Sequence, residues 1–378
     1  MYKICHITSA HQTDDDRIFV RECSSLAKEE NYDVYIIGPG NSYSSNGVTI
    51  IGIGARPKRR KDRVLGFANE LISKALSLEA DVYHIHDPEL LRHALKLKRN
   101  GKSKVVFDSH EYYSVQIASK QYLPKICRNV VAKCYKKYEN YVCKRIDAVI
   151  FPCRINGRHP FQEIAKECVL IDNVPVENEI DLCERIINET EFHTQVPVVE
   201  YTGSLSRERG VDCLIEACNR AGVKLVLAGR VYPESFGQFI QKEMLSKDIE
   251  YRGVCDRKEI MSIHASSTIG ASLLKHVGQY PIIENLPTKV YEYMMMEKPF
   301  IISNFSYACS VVDKYKCGIV VDPSDVDEIV DGIMYLINNP KEMDKMGKNG
   351  REAIEREFNW NKEETKLFQL YKTLLELE

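Results

Sequence analysis

No run of about 18 apolar residues, the length a helix needs to cross a bilayer, occurs in this 378-residue chain, so a membrane-spanning helix is not expected. The opening Met1-Tyr2-Lys3-Ile4 enters strand-like sequence directly, and a soluble, cytoplasmic chain without a signal peptide is expected. The thirteen cysteines include no C-x-x-C pair, and their odd number argues against a closed disulfide framework. Cys5, Cys23, Cys134 and Cys213 fall at apolar periodic positions and are expected to be buried thiols. No nucleic-acid-binding motif is present, which removes nucleic acid from the expected partners.

What is present is enough apolar sequence, 44%, for two hydrophobic cores, and a length that predicts about two or three domains. Continuous apolar runs at 3–8, 34–37, 82–85, 105–107, 148–151 and 169–171 alternate with helical stretches. Continuous rather than alternating runs suit strands buried on both faces of a parallel sheet. A polar, acid-rich stretch follows, and the pattern restarts at 198–202, 224–228, 249–252, 269–274, 300–303 and 318–321. The expected architecture is α/β: two Rossmann-like, doubly wound parallel-sheet domains, 1–172 and 196–360, facing a cleft and joined by a linker at 173–195.

Charge is divided unevenly. Residues 1–172 hold 28 Lys and Arg against 20 Asp and Glu, net +8, and the remainder 24 against 34, net −10, which together give the overall −2. A basic first half suggests an anionic partner. Its densest stretches are Arg56 to Arg63 and Lys120 to Arg145. In the second, Leu123, Ile126, Val130, Cys134, Tyr138 and Tyr141 recur at helical spacing. Such a helix either packs its apolar stripe on the sheet or rests on an anionic membrane surface.

The chemistry-bearing segments follow strands. Glu284-Asn285-Leu286-Pro287-Thr288-Lys289-Val290-Tyr291-Glu292 sets two carboxylates around a Pro that opens a helix, expected from Leu286 or Pro287 through Met296. The N–H groups of Thr288, Lys289 and Val290 would form an anion site with a carboxylate on either side, a layout that suits a nucleotide-sugar. Tyr201-Thr202-Gly203-Ser204-Leu205 leads through Arg207 and Arg209-Gly210 into another helix. Gly203 permits close backbone approach and Arg209 offers a forked cation. Gly229-Arg230 and Gly253-Val254 end two more strands. In the first half, His86-Asp87 and His110-Glu111 end adjacent strands, and the loop from Thr8 through His11 to Asp16-Arg17 ends the first. Aspartates in that loop can cap the helix that follows.

The run Pro287-Thr288-Lys289-x-x-Glu292-Tyr293-Met294 with Glu297-Lys298-Pro299-Phe300 resembles the donor-site signature of the retaining family 4 glycosyltransferases, which have the GT-B fold. The resemblance implies a nucleoside-diphosphate sugar donor, UDP- or GDP-linked. It places Glu284 at the sugar, Glu292 at the ribose, Val254 beside the base, Thr288 and Lys289 at the phosphates, and Asn285 and Leu286 among the donor-binding residues. It implies a catalytic positioning role for His110 beside Glu284. His11, Arg17, His86, Asp87 and Glu111 are acceptor-side candidates. Where the family has Gly-Arg this chain has Gly203-Ser204, and Arg207, Arg230 and Lys289 are candidates to supply the missing charge, with Arg209 standing for the family's lysine.

The implied reaction transfers the sugar with retention to a lipid-linked saccharide in cell-surface polysaccharide assembly, by a protein peripheral on the inner membrane face. No metal and no cofactor are expected, and Asp14-Asp15-Asp16 lies in the wrong half to hold a phosphate metal. A nucleotide-sugar epimerase or hydrolase of the same fold, or an idle nucleotide-sugar-binding subunit, stays open at this point. The last helix, 361–377, is expected against the first domain, by the same resemblance.

Overall fold

A computed structural model describes the chain apart from residues 99–102, 120–123, 190–195, 245–247 and 377–378. Lys120, Leu123, the end of the expected linker and Leu377 therefore lie outside the described residues. The chain divides into two compact units, Met1–Asn173 with Asn361–Glu378, and Val174–Trp360.

In the first unit one sheet is formed by β1 Tyr2–Ile7, β2 Tyr32–Gly38, β3 Tyr43–Ser45, β4 Val48–Gly52, β5 Val82–Ile85, β6 Lys104–Asp108, β7 Ala148–Phe151 and β8 Glu167–Leu170. Their order is β3-β4-β2-β1-β5-β6-β7-β8. All neighbours pair in parallel except the β3–β4 hairpin. Asn46 and Gly47, both at positive φ, close that hairpin, because a two-residue turn matching strand twist needs left-handed residues. Strand order reverses between β1 and β5, so the loops after them flank the position where open α/β sheets bind ligands. The segment Asp16–Cys23 winds as a π-helix, a rare form frequent at functional sites. The C-terminal helix Trp360–Leu375 contributes Tyr371, which is fully buried and hydrogen-bonded to His84 of β5.

All thirteen cysteines are free thiols. Cys5 and Cys23 are buried as expected, but Cys213 is only half-buried and Cys134 is exposed. The reason for Cys134 is the orientation of the helix Lys125–Cys143. It buries Ala132, Glu139, Val142 and Cys143 and leaves Val130 at 61% and Tyr141 at 53% exposure, with Tyr138 also exposed. The periodic stripe thus faces solvent rather than the sheet; nothing is described of the Ile126 side chain.

The second unit contains β9 Val198–Thr202, β10 Lys224–Ala228, β11 Ile249–Tyr251, β12 Ile269–Ser272, β13 Phe300–Ser303 and β14 Gly318–Val321. They pair in parallel in the order β11-β10-β9-β12-β13-β14, the doubly wound arrangement with its switch point between β9 and β12. Val199, Leu225, Leu227, Ile269 and Ile301 are fully buried at its centre, each stabilising the fold by about 1.5–3 kcal/mol. The acid-rich stretch expected as a linker instead forms the helix Glu177–Glu189, which buries Cys183.

Candidate functional site

Two adjacent strands of the second unit, β9 at the switch point and β10 beside it, end in constrained loops. After β9 the chain turns at Gly203 with φ +117°, and after β10 at Gly229 with φ +134°. A Cβ on Gly229 would lie 1.9 Å from the Gly203 carbonyl oxygen, so the two turns can nest only without side chains. Backbone bonds from Gly203 N to Ala228 O (2.8 Å) and Gly229 N to Gly253 O (2.6 Å) tie the loops after β9, β10 and β11 together. The result is a stiff row of strand ends at the place where the fold binds ligands.

The helix Thr288–Met295 runs beside this row, with Pro287 as its N-cap, one to two residues later than the sequence suggested. It lies directly on β12: a Cβ on Gly270 would meet the Tyr293 ring at 2.3 Å. Val290 N already donates to Pro287 O at 2.8 Å, so the expected triple anion site reduces to the N–H groups of Thr288 and Lys289. Lys289 and Glu292 are three residues apart and therefore share one helix face.

Lys289 is 91% covered, its Nζ 3.4 Å from the centroid of the Tyr201 ring and beside Gly203. Burial, and then the nearby Arg209, hold its ammonium well below the usual lysine range. Two cations side by side favour an anion between them. Of the candidates for the charge missing at Ser204, Lys289 therefore stands at the loop. Arg207 instead donates to Asp212 at 3.1 Å and stacks near Phe236 and Phe239, while Arg230 is exposed. Val254 is exposed beyond β11, Asn285 and Glu284 are half-buried before the helix, and Leu286 is buried beneath it.

Glu292 is held from behind by residues that sequence reading did not single out. His264 bridges two carboxylates, with Nδ1 donating to Glu200 Oε2 at 2.8 Å and Nε2 to Glu292 Oε2 at 3.3 Å. Arg257 pairs with the other Glu292 oxygen and reaches Glu179 at 3.4 Å. Arg257 and His264 lie seven residues apart on one face of the helix Arg257–Ser266. That helix starts at a capping box, in which Asp256 accepts from Glu259 N and Glu259 accepts from Asp256 N, both at 2.8 Å. Two signals were legible in the text: the Asp-x-x-Glu box, and a glutamate, Glu200, in the middle of an apolar strand where it needs a buried partner.

Burial alone would lower the His264 pKa, but the two carboxylates raise it to about 9. Burial likewise pushes the Glu292 carboxyl up, and His264 and Arg257 overcome this and hold it at about 2. The stability His264 contributes is complete below its unfolded value near 6.5 and is lost as pH rises through about 9. That of Glu292 is complete above 4.5 and is lost as pH falls through about 2. The melting temperature should therefore peak between about pH 4.5 and 6.5 and decline on both sides. In a differential scanning measurement His264→Gln should flatten the alkaline limb; an unchanged limb would show that this network does not set it.

In the first unit the expected acceptor-side residues separate into two groups. Asp87 is buried and its Oδ2 accepts from Thr8 Oγ1 (2.9 Å), Ser9 N (2.6 Å) and Ala10 N (3.1 Å), which fixes the loop after β1. Arg17 is buried too, forked onto Asp108 at 2.7 and 2.9 Å and donating to Ile171 O and Asn173. His86 is enclosed between His6 and His110. These three are internal to the unit, because their polar atoms are engaged away from solvent. His11, His110 and Glu111 remain partly exposed. Asp15, rather than Asp16, caps the π-helix by accepting from Arg17 N and Ile18 N.

Known proteins resemble the chain in sequence and in fold. Residues 184–353 match the family Glycosyl transferases group 1, and residues 17–158 match Glycosyltransferase Family 4. The chain is 24% identical over 272 residues to a GDP-mannose-dependent monoacylated alpha-(1-6)-phosphatidylinositol monomannoside mannosyltransferase of Corynebacterium glutamicum, covering 70% of this chain and 68% of that one. Sucrose-phosphate synthase from Thermosynechococcus elongatus has a similar fold, with TM-score 0.76 and 16% identity over the whole of both chains. So has Anabaena Alr3699/HepE, solved in complex with UDP, with TM-score 0.64, 16% identity and full coverage of both. The protein is a glycosyltransferase of the GT-B fold. It belongs to family 4, the group 1 glycosyltransferases.

Proposed function

We propose that the protein transfers a sugar from a UDP- or GDP-linked donor, with retention of anomeric configuration and without a metal ion in the reaction, to a lipid-linked saccharide. The observation that supports this most directly is the buried Lys289 beside Arg209 at the glycine turn, one helical turn from an ionised Glu292. Two cations and two helix-start N–H groups match a diphosphate, and stabilise the charge that develops as it leaves. A carboxylate already clamped by His264 and Arg257 can accept from two vicinal ribose hydroxyls without first finding its orientation. Glu284 and His110 keep the catalytic positioning roles that the family resemblance implies. A diphosphate oxygen that takes the acceptor proton removes the need for a separate base.

The lipid-linked acceptor is supported by the basic first unit and by the helix Lys125–Cys143, whose exposed Val130, Val131, Tyr138 and Tyr141 lie among lysines. That is the chemistry of an interfacial helix on an anionic leaflet. The relative from Corynebacterium glutamicum, whose name gives it an acylated phosphatidylinositol acceptor, is consistent with this.

The test is thermal stability against nucleoside diphosphates and their sugars, in Mg²⁺ and in chelator, with flotation on anionic vesicles in the same buffers. A ligand at a hundred times its Kd adds about 2.7 kcal/mol. A shift with one base, equal in both buffers, and flotation lost at high salt are expected. No shift with any nucleotide, or one that requires Mg²⁺, would refute the donor assignment. Rapid nucleotide release without acceptor would favour a hydrolase.

A further inference from the structure

The first unit contains a buried cluster that the transfer reaction does not use. His6 on β1 pairs in register with His84 on β5, and His86 lies two residues on, so all three imidazoles project from the same face of the sheet. The π-helix Asp16–Cys23 covers that face and carries Glu22 into it. All four side chains are at 0% or 1% exposure.

Glu22 Oε2 is 3.9 Å from His6 Nδ1, 3.8 Å from His84 Nε2 and 3.9 Å from His86 Nε2, and His6 Nδ1 is 2.9 Å from His86 Nε2. All four atoms fit within 4.8 Å of one another. A tetrahedron of zinc bonds of about 2.0–2.1 Å has edges of roughly 3.3 Å. The three distances from Glu22 Oε2 exceed that edge by about 0.5 Å and the His6–His86 distance falls short of it by about 0.4 Å, so the ligands would draw in slightly around an ion. Two of the side chains are also poorly satisfied toward the cluster: Glu22 Oε2, which faces the three imidazoles, has no hydrogen bond, nor has His84 Nε2. A buried polar atom left in that state costs about 1–3 kcal/mol, and more if it is charged.

The outer partners set the tautomers that metal ligation needs. The far nitrogen of His86, Nδ1, lies 3.4 Å from Asp108 Oδ2, a carboxylate–histidine contact of the kind that orients metal-bound imidazoles. His84 Nδ1 is 2.9 Å from the Tyr371 hydroxyl, and His6 Nε2 is 3.5 Å from the same oxygen. With protons on these far nitrogens, the three inward nitrogens present lone pairs toward Glu22. Local charge agrees as well. Arg17 is forked onto Asp108 and lies 3.4 Å from Glu22 Oε1, so one cation faces two buried acids.

We infer that His6, Glu22, His84 and His86 form a closed, structural binding site for a divalent zinc-class cation inside the first unit, separate from the donor site and from the transfer chemistry. Three imidazoles and one carboxylate are a donor set suited to zinc, with all four positions filled by protein and none left for substrate. The ion would tie β1, β5 and the π-helix together and so fix the loops that carry His11 and Asp87. Because the ligands are sealed from solvent, loading accompanies folding and removal from the folded chain is slow.

The experiment uses the full chain, purified without a metal-affinity step. Metal content by mass spectrometry should show about one zinc per chain. Protein unfolded in denaturant with EDTA should refold fully only when Zn²⁺ is returned. Co²⁺ supplied instead should give the visible bands of four-coordinate cobalt. His84→Gln and Glu22→Gln should each weaken zinc binding by roughly a hundredfold or more, while His93→Gln, elsewhere in the same unit, should not. If a ligand variant fails to fold, the wild-type stoichiometry and the cobalt spectrum still decide the matter. A wild-type chain that refolds fully in EDTA and takes up neither ion stoichiometrically overturns the inference. In that case the cluster is a proton-sharing network around a neutral Glu22.

Discussion

Glu292→Ala should abolish measurable donor binding while leaving a folded protein. The carboxylate is ionised and oriented before any donor arrives, since His264 and Arg257 take one oxygen each and hold the group down at about 2. Its remaining lone pairs supply charge-assisted bonds, worth about 1.5–3 kcal/mol apiece. Losing two of them weakens binding by on the order of a thousandfold. Folding should suffer less, because His264 keeps its 2.8 Å bond to Glu200, although its Nε2 loses its acceptor. The informative comparison is Glu292→Gln, which keeps the shape but removes the charge, and should retain part of the binding. Glu284→Ala, by contrast, should lower turnover with little change in donor affinity. Calorimetric titration of the nucleotide that stabilises the wild type reads the first two variants, and initial rates read the third. Wild-type affinity in Glu292→Ala would remove this helix from the donor site.

Much of this arrangement could be read from the chain, for reasons that also explain what could not. Strands buried on both faces leave continuous apolar runs, so the parallel sheets announced themselves at Val198–Thr202 and Lys224–Ala228. Glycine turns after strands, such as Gly203 and Gly229, mark where a backbone must come close, and both have left-handed φ. The Asn46-Gly47 hairpin carried an equally plain local signal that passed unread.

Partnership across long sequence separations is different. His264 lies 64 residues from Glu200 and 28 from Glu292, and no local pattern states that an imidazole will bridge them. His6 and His84, 78 positions apart by number, become neighbours only through β1–β5 pairing. Helical periodicity gave the stripe of Val130, Cys134, Tyr138 and Tyr141 correctly but not its direction. An apolar stripe says that one face differs from the rest; what covers it is a property of the fold. The surroundings of Arg17 were hidden for a related reason. A cation in a strand-end loop looks like a ligand contact until its guanidinium is found forked onto a buried aspartate.

Lys289→Met should do two opposite things: raise the stability of the ligand-free protein and remove most of its response to nucleoside diphosphate. The ammonium is nearly enclosed, faces the Tyr201 ring and has Arg209 as its cationic neighbour, and burial with that repulsion holds its pKa well below the usual range. A lysine in that setting is strained toward its neutral form, so at neutral pH an unstrained apolar side chain of similar length relieves the fold by about 0.5–2 kcal/mol. A diphosphate reverses the balance by placing negative charge against both cations, where low local polarity strengthens the attraction. The wild type therefore gains from the ligand what it lacks without it. Melting curves with and without nucleotide test both halves at once. If Lys289→Met melts lower than wild type when ligand-free, the lysine is a structural cation. If it keeps the full nucleotide shift, Arg209 and the helix start carry the diphosphate without it. Only the combination of a higher melting point and a lost shift identifies a residue kept at the expense of stability for the sake of binding.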